Sequence, residues 1–319
     1  TTHIVVSIQC KHLFISIDIQ APFFKTPTLI DSSMKRAFSQ VDVFTNKAYL
    51  GNPLAVVADG SGLSTEKMQN FARWTNLSET TFLLPPSHPE ADYQVRIFTP
   101  GGELPFAGHP TLGSCFVFLN NGGKSKNSEF VVQQSAVGLV KVAQQGAQLA
   151  FAAPALNRQD LSATQIEQLA QALGISSQEI VHAQLLNNGP TWMSCWLKNT
   201  ATVLALKPNS KDLLELGFMV GVAAAYRPEE KAQIAGNPDI EVRAFTPIDG
   251  LLEDPVTGSL NASLAQWLIA EKILPMQYVA QQGTCMQRKG RVELRQDTAG
   301  QVWVGGEVQL CINGEVELE

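Results

Sequence analysis

Between residues 38 and 44 apolar and polar side chains mix at strand spacing, and after the turn-forming Gly51-Asn52-Pro53 the run 54–58 predicts a second strand. Ser64 then predicts the cap of a helix over 65–75. Met68, Phe71, Ala72 and Trp74 form its apolar face, and Lys67 stands at the third helical position, where a full capping box would have Glu or Gln. Strands follow at 80–84 and 93–98. The nearly uninterrupted Leu, Cys, Phe and Val of 111–119 predict a helix, begun by His109-Pro110, that is enclosed on all sides.

The second half repeats that order. Strands at 183–186 and 192–197 flank a turn at Gly189-Pro190; a helix near 210–216, strands at 220–226 and 240–245 and a helix over 256–270 come next, with an additional amphipathic helix at 164–173. Strands followed by one central apolar helix, performed twice, make an α+β chain rather than an alternating βαβ one. A short signature is also doubled. Arg96-Ile97-Phe98-Thr99-Pro100 leads to His109-Pro110-Thr111-Leu112-Gly113-Ser114, and Arg243-Ala244-Phe245-Thr246-Pro247 leads to Asp254-Pro255-Val256-Thr257-Gly258-Ser259. The Phe-Thr-Pro elements lie 147 residues apart and the Pro-x-x-Gly-Ser elements 145, so the period points to two similar lobes and sets His109 opposite Asp254.

Composition narrows the class. A chain of 319 residues with 45% hydrophobic and 16% charged positions is globular and about two domains long. A net charge of -6, with Lys and Arg scattered singly, leaves no basic stripe for nucleic acid or an anionic membrane. No apolar run approaches the roughly 18 to 20 residues that span a bilayer. Five widely spaced cysteines suit a reduced, cytoplasmic setting better than a disulfide framework or a metal site. Met34-Lys35-Arg36 reads as a native start, so residues 1–33 are an extension without chemistry, and His3, Cys10 and His12 are set aside with it. The N-terminal lobe is then 34–150 and the C-terminal lobe 151–301.

Each central helix is preceded by a polar residue and proline, a pairing that suits a first helical turn. If the lobes face each other, both helix N-termini point into one cleft rich in backbone N–H groups, a place for a small carboxylate-bearing substrate. Asp254 before Pro255 is also an ordinary cap. His109 is a poorer cap, and beside a positive helix end its imidazole stays neutral, suited to moving one proton. Glu79, at a strand entrance between Leu77 and Phe82, fits a general base if desolvated and a solvated loop residue otherwise. Gly108 and Gly258 allow close backbone approach, and Ser259 adds a hydroxyl at the helix mouth. No P-loop, no Gly-x-Gly-x-x-Gly after a strand and no Gly-x-Ser-x-Gly elbow occurs, so neither a nucleotide cofactor nor a serine nucleophile is expected.

Val41-Asp42-Val43-Phe44-Thr45, Gly51-Asn52-Pro53-Leu54-Ala55-Val56, Ser78-Glu79-Thr80-Thr81-Phe82, Arg96 to Pro100, Ala107-Gly108-His109-Pro110-Thr111-Leu112-Gly113 and Glu253 to Ser259 together resemble the PhzF-like family of phenazine biosynthesis, within the diaminopimelate epimerase-like fold. The resemblance covers almost everything from Met34 onward. It implies two pseudo-symmetric lobes, each an antiparallel sheet wrapped around a central helix, an active site between them, no cofactor and no metal, a final strand near 302–310 that crosses back to the first lobe, and a homodimer. It also implies a proton-shift isomerase in which Glu79 shuttles the proton, His109 and Asp254 assist, and amides around Gly108, Gly258 and Ser259 hold the substrate carboxylate. Epimerases of this fold use two opposed cysteines. Here Ala107 and the Asp254-Pro255 region stand at those places, which disfavours a two-thiol amino-acid racemase without removing it. A silent small-acid-binding protein is the third reading.

Overall fold

The computed structural model describes residues 7–10, 13–16, 35–249 and 252–318. The expectation of an extension over 1–33 lies outside them except for a hairpin of Ser7–Cys10 (β1) and Leu13–Ser16 (β2). The first half then runs β3 (Lys35–Val43), β4 (Asn52–Val57), α1 (Thr65–Thr75), β5 (Glu79–Leu84), β6 (Tyr93–Phe98), β7 (Glu103–Leu104), α2 (Gly108–Asn120), β8 (Phe130–Ser135), β9 (Gly138–Gln145) and β10 (Gln148–Ala152). The second begins with β11 (Asn157–Asp160), α3 (Ala163–Leu173), β12 (Ile180–Asn187), β13 (Thr191–Leu197), α4 (Thr200–Ala205), α5 (Ser210–Glu215), β14 (Met219–Ala225) and α6 (Pro228–Lys231). It ends with β15 (Ile240–Phe245), β16 (Glu253–Asp254), α7 (Gly258–Ala270), β17 (Gln277–Gln282), β18 (Gly290–Gln296) and β19 (Val302–Glu317).

The strand pairings recur with the elements. β3–β4 and β5–β6 are antiparallel with β4–β5 parallel between them, and β12–β13, β13–β14 and β14–β15 repeat that sequence. β6 pairs with β7 and, in parallel, with β8, as β15 does with β16 and β17. The α+β class holds, but the sheet is mixed where an antiparallel one is expected. Parallel neighbours need a crossover, and α1, α2, α7 and the α4–α5 pair are those crossovers. From β3 onward the strands close into a barrel. β19 pairs with β10 and β18 in its first part and with β3 along the rest.

α2 and α7 fill the interior. Residues 108–115 of α2 are buried, and the helix meets β3, β4, β5 and β10; α7 buries Leu260, Leu264, Trp267 and Leu268 against β18 and β19. Both belong to one core with Leu54, Phe151, Val242 and Val304. On the outside, Ser64 caps α1 by accepting from the Lys67 amide at 3.2 Å, and Met68, Phe71 and Ala72 are buried. Trp74 departs from the expected apolar face. It is 79% exposed, stacked on Phe71, whose ring already occupies the space against Phe38 and Phe82.

The ladders also correct the register of the doubled signature. Ile97 faces Leu104 and Phe98 faces Glu103, while Ala244 faces Asp254 and Phe245 faces Glu253. Asp254 is therefore the counterpart of Leu104, and the helices that start at Gly108 and Gly258 pair His109 with Ser259. Pro110 is the third residue of α2, whereas Pro255 precedes α7, so the matching Pro-x-x-Gly-Ser spacing is coincidental and Asp254 is a strand residue rather than a helix cap. In both halves the motif's arginine clamps the glutamate of the short strand in bidentate fashion, Arg96 on Glu103 at 2.7 and 2.6 Å and Arg243 on Glu253 at 2.9 and 2.8 Å.

Candidate active site

The side chains singled out from the sequence come together where α2 and α7 meet. Glu79 opens β5, placed beside Leu54 by the parallel β4–β5 ladder, and His109 is the second residue of α2. Glu79 Oε2 lies 3.3 Å from His109 Nε2, with side chains 15% and 5% exposed. Asp254, at the end of β16, accepts from Asn52 Nδ2 through Oδ1 at 2.9 Å and from Thr257 Oγ1 through Oδ2 at 2.5 Å.

Asn52 is the residue that sequence reasoning passed over. Its amide also donates to the Val256 carbonyl at 2.8 Å and stands 3.4 Å from His109 Nδ1, so one buried side chain from the first half touches both His109 and Asp254. In the sequence it is only part of a turn, and an asparagine in Gly-Asn-Pro needs no further explanation.

The two helix mouths abut. A Cβ built on Gly108 would come within 3.0 Å of Gly258 Cα and 2.8 Å of the Phe151 ring, and one on Gly258 within 3.0 Å of Gly108 Cα. Glycine alone permits that approach. The first-turn amides of both helices, which helix geometry leaves without intrahelical acceptors, are thereby gathered at one point with both positive dipole ends. Such a junction favours an anion. Ser259 belongs to it, its carbonyl held by Asn188 Nδ2 at 2.9 Å, whereas Ser114 lies a turn deeper and donates to Thr81 Oγ1.

Burial pushes the His109 imidazole down to about 3, against a smaller opposing pull from a hydrogen bond with the Pro53 backbone. The ring is neutral at physiological pH and carries one N–H, so only one of its two sides can donate. A consequence for stability follows by linkage. Unfolded His109 binds a proton near pH 6.5 and the folded one only near 3, so its contribution is full above pH 6.5 and is lost as pH falls toward 3. The slope approaches ~1.4 kcal/mol per pH unit at most. Urea denaturation between pH 7.5 and 4.5 is expected to show a shallower loss in His109→Gln than in the parent; parallel curves would refute it.

Neither cysteine of the buried core offers a ready thiolate. Cys115 and Cys195 are fully buried, and burial pushes both thiols up to about 12. A separate cleft of about 600 Å³, lined by Arg158, Asp160, His182 and Glu271 among others, lies at the opposite, C-terminal end of α7. An arginine–glutamate pair, Arg158 and Glu271 at 2.8 Å, bridges its wall. Among the described residues no helix is long and apolar enough to cross a membrane.

Comparison with known proteins bears on this site. The family profile described as "Phenazine biosynthesis-like protein" (PhzC-PhzF) matches residues 41–314. The chain is 34% identical over 298 residues to "Antisense-enhancing sequence 1" of Schizosaccharomyces pombe, covering 88% of this chain and 98% of that protein. It is 31% identical over 283 residues to the trans-2,3-dihydro-3-hydroxyanthranilate isomerase of Pseudomonas aeruginosa, covering 82% and 90% respectively. A crystal structure of a PhzF-family phenazine biosynthesis protein from Bacillus anthracis shares the fold, with TM-score 0.75, 24% identity and 88% of this chain and 99% of that one covered.

Proposed function

We propose that this chain, which belongs to the phenazine biosynthesis-like PhzC-PhzF family and is an isomerase of it, moves a proton between carbons of a small carboxylate-bearing substrate without a cofactor. In this reading the closed strand ladder comprises two pseudo-symmetric lobes of the diaminopimelate epimerase-like type, about 34–150 and 151–301, with 302–319 returning to the first. Substrate binds between them. The carboxylate sits on the amides of Gly108, His109, Gly258 and Ser259, where a pair of helix ends favours negative charge in both the bound acid and the enolate-like transition state. Glu79 removes an acidic C–H proton and returns it to another carbon on the same face, while His109 and Asp254 hold the neighbouring amine or hydroxyl.

The observation that carries the reading is the 3.3 Å contact between Glu79 and a neutral His109 at the junction of two helix N-termini, with Asp254 tied in through Asn52. With the imidazole neutral, the neighbouring Glu79 carboxylate can take up a substrate proton and release it again with no second charge buried beside it. The test is a screen of small amino and hydroxy acids, cyclohexadiene carboxylates and trans-2,3-dihydro-3-hydroxyanthranilate included, for deuterium wash-in from D2O by NMR. Carbon-bound exchange with at least one acid is the expected result. Saturable binding without wash-in across the whole panel would instead describe a silent acid-binding protein.

A further inference from the structure

α7 starts behind a threonine that does not cap it. Thr257 holds the N-cap position with extended backbone, yet its side chain makes no capping hydrogen bond. A threonine there ordinarily accepts from an amide of the first turn and so stabilises the helix. Here the hydroxyl is turned toward Asp254.

Its polarity is forced by Gln282, which is fully buried on β17. The Gln282 carbonyl oxygen accepts from the Thr257 amide at 3.0 Å and from Asn261 Nδ2 at 2.8 Å. A backbone N–H can only donate, so the orientation of the Gln282 amide is not a matter of choice. Its nitrogen consequently faces the other way, donating to the Asp254 carbonyl at 3.0 Å and to Thr257 Oγ1 at 2.9 Å. A hydroxyl that accepts from an amide keeps its own hydrogen to give, and that hydrogen goes to Asp254 Oδ2.

The first half also sets a buried glutamine on a threonine, Gln133 Nε2 donating to Thr111 Oγ1 at 3.1 Å, but that hydroxyl ends on a backbone carbonyl rather than an acid. The N-cap there is Ala107, the anchoring bond comes from Thr111 Oγ1 to the Ala107 carbonyl at 2.9 Å, and Leu104 stands where the second half has Asp254. The uncapping threonine occurs only on the side that has the acid.

Resting on the reading of Asp254 as a group of the active site, we propose that Thr257, its hydroxyl locked by Gln282, is a positioning residue that aims the Asp254 carboxylate toward Asn52 and the helix junction. The chain from Gln282 through Thr257 to Asp254 has one direction only, and Asn52 closes it from the other half.

The test reads Asp254 directly. Its carboxyl carbon resonance, identified by its absence in Asp254→Asn, is followed through a pH titration by NMR in the ligand-free protein. Losing a donor to the charged form should move the midpoint in Thr257→Val upward by about one unit relative to the parent. Thr257→Ser, which keeps the hydroxyl, is expected to restore the parent midpoint; if the valine variant fails to fold, Thr257→Ala takes its place. Gln282→Met removes the lock and leaves the hydroxyl, and should move the midpoint the same way by less. Equal midpoints in the parent and Thr257→Val would overturn the assignment, and an unmoved Gln282→Met would remove Gln282 from it. No substrate is involved, so an inactive protein with a shifted midpoint overturns the isomerase reading alone.

Discussion

Glu79→Gln is expected to lower deuterium exchange into the active acid by about 10² to 10⁴-fold, the usual contribution of a positioned general base, while binding of the same acid persists. The amide has the shape of the carboxylate and can still approach His109 Nε2, 3.3 Å away in the parent. It cannot take up a proton. The amides proposed to hold the anion belong to the backbone at Gly108 and Gly258, on other elements, and the substitution does not touch them. Wash-in measured by NMR, with affinity measured by calorimetry on the same acid, separates the two effects. Exchange at the parent rate in Glu79→Gln would sink the assignment of the base.

Arg243→Ala should cost about 3–5 kcal/mol of stability, as expected when one member of a buried ion pair is removed and its partner is left desolvated. Arg96→Ala, at the matching place in the first half, should cost under ~1 kcal/mol. The two pairs have the same bidentate geometry, and each guanidinium also lies over the phenylalanine two residues on, Phe98 at 5.1 Å and Phe245 at 4.9 Å. Solvent decides the difference. The Arg243 and Glu253 side chains are 6% and 11% exposed against 23% and 38% for Arg96 and Glu103. Arg243 further donates to the Val203 and Leu206 carbonyls at 3.1 and 2.8 Å, which α4 brings over it. Urea denaturation of both variants is the measurement, and equal losses would show that burial is not the cause. Because Glu253 neighbours Asp254 on β16, the Arg243 variant is also expected to lose exchange activity.

Much of the candidate site was legible because the groups brought together in it are unusual in kind. His109 in a first helical turn and paired glycines at helix mouths are each weak signals that share a cause, a helix end open to an anion, and Glu79 at a strand entrance adds an acid where desolvation is expected. Asn52, Thr257 and Gln282 were illegible for the opposite reason. A turn asparagine, a helix-capping threonine and a strand glutamine all have sufficient local explanations, and their roles arise from partners as far away as the 202 positions between Asn52 and Asp254. The register error had a similar origin. Pro-x-x-Gly-Ser matches by spacing alone, whereas the ladder from Ala244 to Asp254 is a hydrogen-bond fact that only the paired strands contain.

The α+β class and the repeated order of strands and apolar helix could be read from the chain alone, since strand and helix periodicity and the Arg-x-Phe-Thr-Pro repeat are local properties of the polypeptide. Folding added that the sheet is mixed, that His109 answers to Ser259 and Asp254 to Leu104, and that the Thr257 hydroxyl donates to Asp254 instead of capping α7. Those outcomes depend on which distant groups satisfy each buried donor and acceptor, and that accounting closes only when the chain is folded.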